Sequence, residues 1–237
     1  MFRFQQFDIE NSRAALKVGT DAVLLGASMS IPGTDALCAL DIGTGTGVLA
    51  LMAAQRIEAE GIREWKVTAI DIDKPSADEA ADNCARSKWA ANLCAIHSSL
   101  SEYAARMRES ERFGLIFSNP PYYDSSLRNP DAREAAARHT DNLSYREICS
   151  FAAERLTPAG RLEMILPSDQ EKQLLRTAAS FGLYASRLVR VSTTPTKPPR
   201  RLIAEFLRTR TSVNEEALVI GSDKYSGLVK DFLISAA

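Results

Sequence analysis

Asn119, Pro120, Pro121 and Tyr122 follow one another directly after an apolar run at 115–117 and Ser118. That order offers two oxygens and a ring to a flat amine. The side-chain oxygen of Asn119 and the backbone carbonyl of Pro120 can each accept one N–H of an NH₂ group. A conjugated amine is a poor nucleophile because its lone pair is delocalised. Two aligned acceptors favour a pyramidal nitrogen and stabilise the positive charge that builds during attack. The prolines stiffen the turn, so little reorganisation accompanies reaction. Tyr122 supplies a face on which the flat group stacks. The bland alternative is a proline-rich turn after a strand.

A second stretch, Asp41-Ile42-Gly43-Thr44-Gly45-Thr46-Gly47, follows the apolar run 36–40. Glycines there let the backbone approach a ligand and take positive φ. A helix beginning near Gly47 directs free N–H groups toward the same place. The spacing is G-x-G-x-G, not the dinucleotide G-x-G-x-x-G, which argues against an oxidoreductase. Asp71 stands about thirty residues on, ending another apolar run. A carboxylate at that place can accept two hydrogen bonds from ribose hydroxyls, and Ile72 can lie against an adenine face. Asp73, before Lys74-Pro75, is placed to cap a helix. A loop for a zwitterion, a ribose acceptor and an amine-binding turn together predict methyl transfer from S-adenosylmethionine to an amine nitrogen.

The elements that must position these groups alternate. Strands are expected at 36–40, 65–70, 93–97, 115–117, 161–166, 183–191 and 202–207. Helices are expected at 48–57, whose Val48, Leu49, Leu51, Met52 and Ile57 face a sheet, and at 74–89, opened by Pro75. Ser144-Tyr145-Arg146-Glu147 is a capping box opening a helix through 156. Pro158-Ala159-Gly160 reads as a turn. Ser168-Asp169-Gln170-Glu171 reads as a second capping box, for a helix to about 181. Such alternation predicts a mainly parallel α/β sheet. In the leader, Phe2 and Phe4 suit an edge strand, with Phe7 a further anchor. Thr20 or Asp21 is placed to cap a helix from 20, and the stretch 17–27 suits either a packed leader helix or a flap putting Thr20 against the ligand. Residues 209–237 predict an appended strand and helix.

At 237 residues the chain is expected to be one domain over 1–237, with 1–35 as leader and flap and 209–237 as a C-terminal extension. The start is no signal peptide and nothing reads as a membrane span, so a cytoplasmic monomer is the expectation. Cys38, Cys84, Cys94 and Cys149 form no C-x-x-C pair; with His97 and His139 alone beside them, no metal site is expected. The net charge of −1 names no partner and leaves room for a local basic patch.

The stretches 17–27 and 118–122, with Ala137-Arg138-His139-Thr140, Lys197-Pro198-Pro199-Arg200-Arg201 and Lys230-Asp231-Phe232-Leu233, resemble those of class I S-adenosylmethionine-dependent methyltransferases of the Asn-Pro-Pro-Tyr type. Within that class the chain is similar, over nearly its whole length, to the bacterial tRNA (valine isoacceptor) adenine-N6 methyltransferase family. The resemblance implies a Rossmann-like, seven-stranded, mostly parallel sheet with an antiparallel last strand and helices on both faces. It also implies Asp41, Gly43, Gly45 and Gly47 at the methionine end of the cofactor, Asp71 at the ribose, and a tRNA adenine 3′ of the anticodon as acceptor. Relatives carry an acid after the third strand; here the segment is His97-Ser98-Ser99-Leu100, and Ser99 or a neighbouring N–H stands in its place.

Arg187, Arg190, Lys197, Arg200, Arg201, Arg208 and Arg210 surround the last two strands, a pattern suited to phosphate contacts. The loop 124–141, with Arg128, Arg133 and Arg138, is placed to order over RNA. Two other acceptors share the chemistry of a delocalised amine: a protein glutamine and an adenine in DNA or ribosomal RNA. Glutamine methylases place a helical domain ahead of the glycine loop, where this chain has about forty residues. A module that binds RNA without catalysis is the remaining reading, and the intact 119–122 stretch argues against it.

Overall fold

The computed structural model describes residues 1–121 and 143–234. Its centre is a sheet of eight strands: β3 (Ala36–Ile42), β4 (Glu64–Asp71), β5 (Leu93–His97), β6 (Phe113–Ser118), β7 (Leu156–Pro167), β8 (Tyr184–Ser192), β9 (Arg201–Leu207) and β10 (Asn214–Val219). Their spatial order is β10-β8-β9-β7-β6-β3-β4-β5. Every neighbouring pair is parallel except those made by β9, which runs antiparallel to both β7 and β8. The seven expected strands are all present. The strand expected after residue 209 adds an eighth, β10, parallel to β8.

Leu37 and Ala39 of β3 pack into one core, Leu40 and Ile42 into the other. Alternate residues thus bury both faces, as a sheet covered on two sides requires. On the first face lie α1 (Thr20–Ser28), α2 (Val48–Ala59) and the C-terminal α7 (Asp223–Val229); on the second lie α5 (Tyr145–Arg155) and α6 (Glu171–Ser180). Helix α3 (Lys74–Arg86) follows β4, and α4 (Leu100–Arg106) follows β5.

Several local expectations need correction. Thr20 and Asp21 do not cap α1: Gly19 is the N-cap, and no side chain bonds there. The box at 168 does not form. Ser168–Gln170 is a 3₁₀ turn, Glu171 opens α6 from an uncapped start, and the Ser168 N–H donates instead to the Arg200 carbonyl at 3.2 Å. Pro158 to Gly160 do not separate β7 from α5. Phe113 pairs with Leu156 and Leu115 with Arg161, so residues 157–160 form a bulge within β7. The box at Ser144 does form. The N-terminal strand is a two-residue arm, β1 (Phe2–Arg3), paired with β2 (Asp8–Ile9) outside the main sheet. Phe4 and Phe7 stack at 4.5 Å, and Phe7 meets Trp89 edge-on at 6.0 Å.

Candidate active site

The strand order reverses beside β3: β4 and β5 lie on one side, β6 and β7 on the other. Ligands of open α/β sheets bind at the carboxyl ends of strands at such a point. Here the ends are in step, with Asp41 opposite Phe117 and Ile42 opposite Ser118. The Ser118 hydroxyl donates to the Ile42 carbonyl at 2.7 Å. Two stretches far apart in sequence therefore leave the sheet side by side: the glycine loop after Ile42 and Asn119-Pro120-Pro121 after Ser118.

Gly43, Gly45 and Gly47 all have positive φ, at 73°, 57° and 82°. Gly47 is the N-cap of α2, and no side chain caps that helix. A Cβ on Gly47 would lie 3.2 Å from both Cα and Cβ of Ala80, so the residue is glycine for space as well as for φ. Asp71 fastens the loop to the next strand: its Oδ2 accepts the Gly45 N–H at 2.7 Å and its Oδ1 the Asp73 N–H at 2.9 Å. Burial raises the Asp71 carboxyl above its ordinary range against those two bonds. Asp73 caps α3 through the Ser76 N–H, as expected.

A cavity of about 660 Å³ opens at this point. That size suits a ligand the size of a nucleoside with an amino-acid tail. Of the residues singled out in the sequence, Gly43, Gly45, Asp71, Ile72, Ser99, Asn119 and Pro121 border it. Ile72 is 46% exposed, a large apolar side chain left facing this space. Ser99 caps α4 in a reciprocal box with Glu102, so its N–H and hydroxyl are both engaged there. Gly47 and Pro120 are buried behind the wall. Asp41 is fully buried: Oδ2 accepts the Thr44 hydroxyl at 2.6 Å, while Oδ1 has no hydrogen-bond partner among the described residues. Burial pushes that carboxyl up to about 7 although the Thr44 bond opposes it, and Asp71 adds to the rise.

Thr20 is the first residue of α1, exposed, and outside the cavity wall. Residues 22–28 of that helix are buried, so α1 is core. The leader residues that do border the cavity are Ala15 and Leu16, with Lys17 and Ala22 from the stretch that also suited a flap, together with Leu143 before α5 and Glu147 in its first turn. Their signal was slight; Leu16, 60% exposed, is an unremarkable residue in a polar leader. Tyr122, Arg138 and His139 lie outside the described residues.

A family model described as methyltransferase small domain matches residues 12–185. The chain belongs to that family. Among relatives of this methyltransferase-family chain is a protein of Bacteroides fragilis, 37% identical over 98% of this chain and 97% of its own length. Another, from Christiangramia forsetii, is 34% identical over 98% and 97%. Both carry the name tRNA1(Val) (adenine(37)-N6)-methyltransferase. Solved structures with the same fold include one described as a predicted O-methyltransferase from Agrobacterium tumefaciens, with a TM-score of 0.65 at 17% identity over 90% of this chain and 94% of that one. A methyltransferase from Pyrococcus furiosus has a TM-score of 0.61 at 20% identity, over 86% and 90%.

The basic residues around β8 and β9 of the methyltransferase divide into three sets. Arg208 and Arg210 follow the far end of β9, where Arg208 donates to the Leu156 carbonyl at 2.8 Å and Arg210 lies over the Tyr184 ring, away from the edge that carries Asn119. Arg187 is paired with Glu216, Arg190 with Glu171 and Glu215, and Arg201 with Asp21, each at 2.7 or 2.8 Å. Lys197 and Arg200 stand exposed in the loop joining β8 to β9, at the same edge of the sheet as Asn119. Among the described residues, no helix is long and apolar enough to cross a membrane, and no cluster of potential metal ligands occurs.

Proposed function

We propose that this protein transfers a methyl group from S-adenosylmethionine to the N6 amine of an adenine in tRNA, the adenine immediately 3′ of the anticodon; its relatives are named for adenine 37 of tRNA1(Val). The observation that carries the reading is the pairing of Ile42 with Ser118, which sets an Asn-Pro-Pro turn beside a three-glycine loop at one switch point. The cavity suits the cofactor on several counts. The uncapped start of α2 accepts a carboxylate. Asp71 keeps lone pairs for ribose hydroxyls beyond the two N–H bonds it accepts. Ile72 and Leu16 supply apolar surface for a base.

S-adenosylmethionine supplies a methyl group on a sulfonium, open to in-line attack. The chain's part is to hold and orient. Asn119 and the Pro120 carbonyl take the two N–H groups of the adenine amine and align its lone pair with the methyl. The same oxygens stabilise the cation formed as the C–N bond grows. Tyr122 stacks on the adenine. An adenine in a loop is already partly unstacked, which lowers the cost of turning it into the pocket. Lys197 and Arg200, exposed at the catalytic edge, and Arg138 meet backbone phosphates.

The test is mass spectrometry of nucleosides from tRNA treated with the protein and S-adenosylmethionine. N6-methyladenosine, absent without protein, is the expected product. Methylation of a protein glutamine instead, or cofactor binding with no transfer to RNA, would overturn the reading.

A further inference from the structure

Two buried polar side chains on α3 lie outside the cavity wall, and apart from one contact between Asn83 and Arg86 their bonds run to the leader or to the glycine loop. Glu79 is completely buried. Its Oε1 accepts the N–H of Ser12 at 2.8 Å, the Ser12 hydroxyl at 3.1 Å and the N–H of Arg13 at 2.9 Å. Its Oε2 accepts the N–H of Ala14 at 2.9 Å. The leader is thereby wrapped around one carboxylate. Arg13 adds charge complementarity, with Nε 3.9 Å from Oε1. Burial alone would raise this carboxyl; the backbone N–H groups of Arg13, Ala14 and Ser12 outweigh burial and hold it at about 2.

Asn83, 1% exposed and one turn further along α3, grips the leader upstream. Its Oδ1 accepts the Glu10 N–H at 2.8 Å, and its Nδ2 donates to the Glu10 carbonyl at 3.0 Å. The same Nδ2 donates to the Thr46 carbonyl in the glycine loop at 2.8 Å. At the start of α3, Ser76 accepts the Ala15 N–H at 3.1 Å. Beyond these anchors the leader passes over the glycine loop: a Cβ on Gly45 would lie 4.0 Å from the Leu16 carbonyl oxygen.

We infer that Glu79 and Asn83 are positioning residues of the cofactor cavity: from α3 they fix residues 10–17 against the glycine loop, so that Ala15, Leu16 and Lys17 form a preorganised wall. This rests on the cofactor reading given above. Neither residue touches the reacting atoms. Their effect falls on cofactor affinity, because a wall that must be ordered on binding subtracts its ordering free energy from the affinity.

The probe is S-adenosylhomocysteine, titrated by calorimetry into the full chain. Glu79→Gln replaces two acceptor oxygens by one and sets an NH₂ against N–H donors. Its Kd is expected to rise about tenfold or more, with KM for S-adenosylmethionine raised more than kcat is lowered. Amides of residues 12–14 should exchange faster with solvent. Ile148→Val, in the core on the opposite face of the sheet, controls for general loss of stability. Should Glu79→Gln not fold, Ser12→Ala removes one donor from an exposed residue and is expected to weaken binding about threefold. An unchanged Kd in whichever variant folds, or a loss no larger than that of Ile148→Val at equal loss of Tm, would overturn the inference. If the unaltered protein does not bind the probe, the cofactor reading itself is wrong.

Discussion

The Ser118 hydroxyl donates to the carbonyl oxygen of Ile42 at 2.7 Å. Ser118 is fully buried. The bond ties the last residue before the Asn-Pro-Pro turn to the last residue before the glycine loop. It adds a side-chain tie at the last pair of the β3–β6 ladder, where turn and loop leave the sheet. Ser118→Ala leaves a buried carbonyl short of one partner and is expected to cost about 1–2 kcal/mol of stability. It should also lower kcat more than cofactor affinity, since Asn119 then departs from its alignment. Chemical denaturation and single-turnover kinetics measure the two. Unchanged kcat with lowered stability would leave the bond a purely structural one.

Asn119→Ala is expected to reduce methyl transfer on the order of a hundredfold, the usual consequence of losing one aligned polar partner worth about 3 kcal/mol. Affinity for S-adenosylhomocysteine should stay within a few-fold. If that affinity collapsed, Asn119 would be a cofactor ligand rather than a grip on the acceptor amine.

Gly47→Ala forces an L residue to φ 82° and sets its Cβ 3.2 Å from Ala80. We expect a loss of about 2 kcal/mol, or roughly 4–8 °C in Tm. Gly61, also at positive φ but with open space around it, should lose less on the same change. Equal losses would show that close approach to α3 contributes nothing.

The pH dependence of stability follows from buried carboxyls of opposite sign. Glu163 on β7 faces Glu205 across β9. Burial first, then that like charge, pushes it up to about 8, against the Ser30 N–H, Arg187 and Arg161. Asp41 is raised to about 7. Both stay protonated in the folded chain where the unfolded chain has ionised, so stability falls as pH rises from about 4.5 through 8. Glu79, held at about 2, acts in the other direction. Its contribution is present above about 4.5 and is lost as pH falls toward 2. A thermal-shift series should therefore peak near pH 4. Glu163→Gln should gain on the unaltered protein steadily from pH 5 to pH 8; a pH-independent difference would remove Glu163 from this account.

Lys197→Ala with Arg200→Ala should weaken tRNA binding and flatten its salt dependence by about 1.5 in log–log slope, without loss of Tm. Arg201→Ala is different. It breaks the 2.7 Å pair with Asp21 that joins β9 to the start of α1. Lower stability is expected there, with little change in salt slope. Unchanged RNA affinity at low salt in the double variant would take the loop out of the RNA site.

What the sequence disclosed and what it hid differ physically. Gly43 to Gly47, Asp71 and Asn119 each end a strand with a residue type that chemistry demands, so contiguous pattern sufficed. Seven of the eight strands were legible for a related reason: burial makes each a short apolar run, whereas the edge strand β10 buries only Leu218 and was expected no more closely than somewhere after residue 209. Glu79 and Asn83 were not legible. Their leader partners lie more than sixty residues upstream and are mostly backbone N–H groups, which carry no residue signature. Helix α4 is seven residues long, too short for periodicity, and its Ser99 cap was read as a ligand contact. Ser168 is no cap because β7 runs on to Pro167, paired with Arg201, and Ser168 is already inside the 3₁₀ turn, its N–H given to the Arg200 carbonyl, so tertiary pairing overrides the local pattern. Arg201 looked like one member of a basic patch until Asp21 was found beside it.

The parallel register of β3 and β6 has a geometric corollary. Adjacent strands run about 4.8 Å apart, so donor loop and acceptor turn emerge at nearly one point on the rim of the sheet. On the proposed function, an adenine whose amine is to meet both must leave its stack and its pair first, so a nucleotide in a loop should be methylated faster than the same nucleotide held in a duplex.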